Sequence, residues 1–133
     1  MNVTFPFRRG HIMIPPVRIR HKYSYRPLMA MDTGARFTVI SPRIAKEVGI
    51  DPTVLKPTVQ IVGIAGSAWA VETTLASVSI LGMPVENVKA IIHQLPTSLG
   101  LDGILGLNFL RHFNITINHD AENVSIEKCN LTA

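Results

Sequence analysis

The chain has 133 residues, 47% of them hydrophobic and 17% charged, with a mean hydropathy of +0.26. That suits one globular domain over residues 1–133 and excludes a disordered segment or two separately buried cores. The net charge of +4 is lopsided, because residues 1–31 carry +6 with no acid and residues 32–133 carry −2.

A basic run of this kind can meet nucleic acid, an anionic membrane or an acidic peptide. Here the basic residues alternate with apolar ones and no aromatic platform is interleaved for base stacking, so they read as a solvated strand face and no nucleic-acid partner is expected. The uncharged, mostly apolar stretch Ile61 to Val71 is broken by Gly63, Gly66 and Ser67 and falls short of the roughly 20 residues that span a bilayer, so no membrane span is expected. The opening residues lack a basic region followed by an unbroken apolar one, which makes a cytoplasmic location the expectation. The lone Cys129 forms no internal disulfide and no metal-binding pair.

In chain order, His11–Ile14, Val17–Arg20 and Leu28–Met31 read as short strands separated by Pro15-Pro16 and Tyr25-Arg26-Pro27. Ser41-Pro42 is a helix-start signal, with Ser as the cap and Pro at the first helical position, and Gly49 ends a two-turn helix over Arg43–Val48. Val59–Val71 and Thr74–Leu81 are β-prone, and a loop at Gly82-Met83-Pro84 leads to a strand over Val85–His93, so the middle of the chain is a β-meander. Gly106–His112 has a helical pattern, with Asn114 as its terminator. Phe113–Asn118 and Asn123–Lys128 alternate around the turn His119–Glu122 and close the chain as a hairpin.

The segment with chemical content is Met29-Ala30-Met31-Asp32-Thr33-Gly34-Ala35, an apolar strand that delivers an aspartate into a tight turn. A carboxylate set against apolar neighbours and near a second carboxylate shares one proton with it, which is the state an acid/base pair needs. Gly34 allows close backbone approach, and the Thr33 hydroxyl is placed to bond a backbone group and lock the turn.

From these residues onward the chain resembles the retropepsin-like aspartic proteases, over about His11 to Lys128. Three segments carry the likeness: Asp32-Thr33-Gly34-Ala35 followed by Thr38-Val39-Ile40; Ile104-Leu105-Gly106 about 70 residues later; and Leu107-Asn108-Phe109-Leu110-Arg111 leading into the C-terminal hairpin. The resemblance implies an all-β acid-protease barrel with a flap hairpin, one or two short helices and a C-terminal hairpin. It implies that the Asp32 loop crosses the supporting strand Ile104, Leu105 and Gly106 in a ψ-shaped structure, with a glycine-bearing hairpin between them folding over a polypeptide substrate. The chemistry it implies is peptide hydrolysis by an aspartic endopeptidase, with Asp32 activating a water and no metal or cofactor.

Only one Asp-Thr-Gly occurs, and Asp102-Gly103 lacks the hydroxyl residue between, so a homodimer contributing Asp32 from each subunit is the economical source of the second carboxylate. The flap falls in Gln60–Glu72, with Gly63, Ile64, Ala65, Gly66 and Trp69 as its candidate residues. A plain turn with Trp69 in the core fits the same pattern equally well. His11, His21, His93, His112 and His119 show no metal-ligand spacing. The alternative function is a non-catalytic peptide-binding or dimerisation module of the same fold, against which Asp32, Thr33 and Gly34 stand together.

Overall fold

A computed structural model of the chain describes residues 2–63 and 66–130. Its strands are β1 (Asn2–Pro6), β2 (Val17–Arg20), β3 (Ser24–Tyr25), β4 (Met29–Met31), β5 (Thr38–Ile40), β6 (Val59–Gly63), β7 (Gly66–Ile80), β8 (Met83–Ile92), β9 (Gly103–Leu105), β10 (Phe113–Asn118) and β11 (Asn123–Lys128). Two short α-helices are interspersed, α1 (Pro42–Glu47) and α2 (Leu107–Leu110). The fold is all-β, as expected from the sequence. Among the described residues no helix is long and apolar enough to cross a membrane.

The strands form two sheets. The smaller has the order β1-β11-β10 and is antiparallel throughout. Its hairpin keeps the boundaries that alternation predicts, pairing Phe113 with Lys128 and Asn118 with Asn123, and Val124 and Ile126 are fully buried on its inner face. The larger sheet runs β3-β2-β7-β8-β5-β9-β4, with β6 pairing the upper part of β7. A single apolar cluster joins Phe5, Val124 and Ile126 of the small sheet to Ile19, Ile40, Val78, Ile80 and Leu105 of the large one, with Ile44 and Phe109 contributed by the helices.

Several elements differ from expectation. Residues His11–Ile14 are not a strand: Pro15 and Pro16 remove two ladder donors, and the segment keeps a single backbone bond to β4, from Met31 N–H to the Met13 carbonyl at 2.9 Å. The N-terminal strand is instead β1, whose Val3 and Phe5 turn inward against the C-terminal hairpin. The helix predicted over Gly106–His112 contracts to the four residues of α2. By contrast, α1 begins as read, with Ser41 Oγ accepting from the Ile44 N–H at 3.3 Å and Pro42 in the first turn. Gly49, at φ +93°, ends it in the left-handed region.

The expected break between Val71 and Thr74 is absent, since β7 runs unbroken for 15 residues. What interrupts its pattern lies lower. The ladder between β7 and β8 skips the Ala76 and Asn87 positions, and Asn87 takes φ +56°, a conformation Asn tolerates better than most residues. On either side of that gap the buried residues change phase, Leu75 and Val88 above and Val78, Ile80, Val85 and Met83 below. The Ala76 N–H, left without a ladder partner, donates to His21 Nδ1 at 3.2 Å.

Candidate active site

The site grows from one pair of parallel strands. β4 and β9 run side by side with Met29, Ala30 and Met31 opposite Gly103, Ile104 and Leu105, and their buried members Met29 and Leu105 anchor both in the core. At the end of β4 the Asp32 N–H donates to the Leu105 carbonyl at 3.0 Å, so the aspartate leaves the sheet fixed by its neighbour strand. The chain then turns sharply: the Gly34 N–H donates to Asp32 Oδ1 at 2.8 Å and the Ala35 N–H to the Asp32 carbonyl at 3.2 Å. One carboxylate oxygen is thereby oriented by the backbone of its own loop.

The loop that leaves β9 crosses the loop that leaves β4. Leu107 N–H donates to the Ala35 carbonyl at 2.8 Å, and Asn108 N–H donates to the Arg36 carbonyl at 3.2 Å. At the crossing the backbones nearly touch. A Cβ on Gly106 would stand 2.4 Å from the Phe37 carbonyl carbon and oxygen, so only glycine permits the approach. A Cβ on Gly103 would lie as close to the Val39 carbonyl. Gly34 is less confined, with its nearest obstacle the Asp32 carboxylate at 3.2 Å. Ile104 and Leu105 thus run beside β4, and Gly106 lies where the two loops cross.

Two polar residues without an assigned role in the sequence reading hold this crossing together. Thr38 is fully buried; its hydroxyl accepts from the Gly106 N–H at 3.2 Å and donates to Asn108 Oδ1 at 2.9 Å. The same Asn108 oxygen accepts from the Thr38 N–H at 2.8 Å, while Asn108 Nδ2 donates to the Lys89 carbonyl at 2.7 Å. One amide side chain thus ties β5, α2 and β8 together. A signal for it exists in the sequence: Asn108 is the one polar side chain within the run Ile104–Leu110.

Thr33 departs from expectation. Its side chain is exposed and makes no hydrogen bond among the described residues, so the turn is locked by the Gly34 and Ala35 amides on Asp32 and not by the Thr33 hydroxyl. Asp32 itself is half-buried rather than enclosed. Beside it the crossing loops expose Thr33 and Gly34 together with the apolar Phe37 and Leu107.

Asp102 lies at the opposite end of the same strand pair. Its Oδ2 accepts from the Leu28 N–H at 2.8 Å and its Oδ1 pairs with Arg43 Nη2 at 2.6 Å. Its own N–H donates to the Leu28 carbonyl at 2.8 Å. Leu28 and Asp32 are four residues apart on one extended chain, about 13 Å at the usual strand rise. The Arg43 guanidinium, hydrogen-bonded by Tyr25 and then by Asp102, is held above its ordinary pKa. Asp102 is engaged by this clamp and faces away from Asp32.

Between the two crossing loops in sequence, β6 and β7 form a hairpin paired from Val59 with Ala70 to Gly63 with Gly66, with Gly66 at φ +125°. Ile64 and Ala65 lie outside the described residues. Trp69 is 65% exposed and Val62 77%, so Trp69 is no core residue and the hairpin projects beyond the packed sheet. Among the described residues no three His, Cys, Asp or Glu side chains are grouped as metal ligands would be.

Residues 18–112 match the family described as "gag-polyprotein putative aspartyl protease". Among solved structures, the chain is similar to a retropepsin-like aspartic protease from Rickettsia conorii, with a TM-score of 0.74 and 21% sequence identity over 95% of this chain and 90% of that one. At that identity the likeness speaks for the fold. No curated protein matches the chain.

Proposed function

Since the chain belongs to the retropepsin-like, gag-polyprotein aspartyl protease family, we propose that it is an aspartic endopeptidase that works as a homodimer, each subunit supplying Asp32. The observation that carries this reading is the contrast between how firmly Asp32 is held from behind and how open it is in front. Leu105 and Gly34 fix its backbone and one oxygen, while the Thr33-Gly34 surface beside it is exposed. A single carboxylate does not make an acid/base pair, and a two-fold axis past this surface brings a second copy of Asp32 to it.

In that arrangement one Asp32 is ionised and takes a proton from the attacking water, and the other is protonated and polarises the scissile carbonyl before giving its proton to the leaving amine. The Gly34 N–H on Oδ1 orients the carboxylate and costs no rearrangement during the step. Thr33, whose exposed side chain makes no hydrogen bond among the described residues, bonds across the axis. The hairpin bearing Gly63, Ile64, Ala65, Gly66 and Trp69 acts as the flap, its exposed Trp69 and Val62 closing over an extended polypeptide and keeping water from the reacting bond. Residues 1–133 serve as one protease unit.

Mixing experiments test this directly. Adding excess Asp32→Asn chains to wild type should depress peptide cleavage below the wild-type share, because heterodimers hold one carboxylate and one amide. Specific activity should also fall on dilution as dimers dissociate. Activity proportional to wild-type subunits, and constant down to concentrations at which sedimentation shows monomers, would sink the homodimer.

A further inference from the structure

The N-terminal basic excess has a place in the fold that the proteolytic reading leaves unused. Arg18 and Arg20, two apart on β2, point to the same side of the large sheet, opposite the buried Val17 and Ile19. Across the ladder Arg20 faces Ser77 and Arg18 faces Ser79; one strand further, Ser77 faces Glu86 and Ser79 faces Pro84. The small serines leave this outer face low, and the segments around Ile14 and Leu28 rise along its side, producing a groove of about 830 Å³. Arg26 joins the other two arginines in lining it.

We propose that this groove binds an extended, acidic polypeptide segment bearing aliphatic side chains. Among the described residues none of Arg18, Arg20 and Arg26 takes part in an ion pair, the three bridges being Arg9–Glu122, Arg43–Asp102 and Lys89–Glu72. Three free guanidiniums against one acid, Glu86, give the groove a net positive field, and planar guanidiniums suit carboxylates bidentately. The walls contributed by Ile14, Pro16, Leu28 and Leu81 are aliphatic, with no aromatic ring on which a base stacks, which favours a peptide over a nucleic acid. A concave floor one side chain deep likewise fits a chain better than a flat bilayer. Glu86 sets the polarity: the row Arg20, Ser77, Glu86 crosses three strands at about 4.8 Å each, so the carboxylates of the occupant lie over β2 and its neutral flank over β8.

The groove is separate from the crossing loops. Asp32, Thr33 and Gly34 do not line it, and Leu28, which does, lies on β4's entry side, about 13 Å of extended chain before Asp32. Its occupant is therefore a partner polypeptide, held apart from the Asp32 loop.

Binding is read without turnover by fluorescence anisotropy, using the full chain carrying Asp32→Asn and a labelled peptide of alternating Glu and Leu. The combined Arg18→Ser, Arg20→Ser and Arg26→Ser variant should bind about tenfold more weakly or worse, and added salt should weaken the wild-type groove in parallel. Glu86→Gln should tighten binding about twofold to threefold, an outcome that damage to the fold does not mimic. The proposal is overturned if the arginine variant binds unchanged, if a Ser/Leu peptide binds as well as the Glu/Leu one, or if a single-stranded oligonucleotide or a phosphatidylserine vesicle binds more tightly through the same arginines. None of these readings depends on cleavage, so they stand apart from the test of the homodimer.

Discussion

The two ends of the β4–β9 pair hold the same residue type in opposite circumstances. At one end Asp102 spends both oxygens within the chain, on the Leu28 amide and on Arg43, and so joins β4 to α1. At the other, Asp32 receives one amide from its own loop and is otherwise open beside Thr33 and Gly34. A carboxylate whose acceptor sites are filled by the chain is a fastener, and one held by its backbone with an oxygen to spare is available for chemistry. The contrast teaches that the number of aspartates near the strands says little; the bonds each one already makes distinguish them.

The largest expected effect comes from exchanging the two. Asp32→Asn should lower kcat by about a thousandfold or more with little change in thermal midpoint, since it removes the proposed proton-transfer group and leaves the packing. Asp102→Asn, assayed below its unfolding temperature, should leave kcat within a few-fold of wild type. Equal losses of activity in both would erase the distinction.

Next come the residues that hold Asp32 from behind. Gly106→Ala forces a Cβ into the Phe37 backbone, and Asn108→Ala strands the Thr38 hydroxyl and amide and the Lys89 carbonyl. Each should destabilise the fold by about 2–4 kcal/mol in urea titrations. A Gly34→Ala change, which meets only the Asp32 carboxylate, should cost stability far less and activity far more.

Asp102→Asn ranks third in stability, since it weakens the hydrogen bond to Leu28 and ends the pairing with Arg43. About 1 kcal/mol is expected by the same titration, and restoring charge elsewhere on α1 should not recover it.

The smallest effect is a pH dependence. Burial first, then the charges of Arg111 and Lys128, hold the His112 pKa below the ordinary 6.5. The unfolded chain therefore binds this proton more readily than the folded one. The stability associated with neutral His112 is complete above about pH 6.5 and is lost as pH falls through the lower folded value. Thermal midpoints of wild type and His112→Gln should converge at neutral pH and separate below pH 6.5, with wild type losing more.

Much of the fold was legible because its signals are local. The hairpin Phe113–Lys128 alternates strictly around a polar turn, and Ser41-Pro42 with Gly49 brackets α1. The elements missed are those whose reasons are distant. β1 is a strand because β11 offers it an edge more than 110 residues away, and Ala76 with Asn87 breaks a pattern that each strand alone continues. The site divides in the same way. Asp32, Thr33 and Gly34 announce themselves in one triplet, but the work of holding the loops falls to Thr38 and Asn108, whose bond joins residues 70 apart. Trp69 was undecidable from its neighbours, because an aromatic on an alternating strand fits a core face and a projecting one alike; its 65% exposure makes the difference.

One feature of β7 separates the β6–β7 hairpin from the packed sheet. Up to Ala70 this strand is bonded to β6, and from Val71 onward it is bonded to β8, joined near its end by β2. Below the change of partner it carries Leu75, Val78 and Ile80 in the core; above it, Ala70 is the one buried residue among Gly66 to Ala70. The two halves of one continuous strand therefore differ in what anchors them, with the change at Ala70–Val71. With so little buried side chain above that change, the amides of Ser67 to Trp69 are expected to exchange with solvent ahead of those from Thr73 to Ile80 in a hydrogen-exchange experiment.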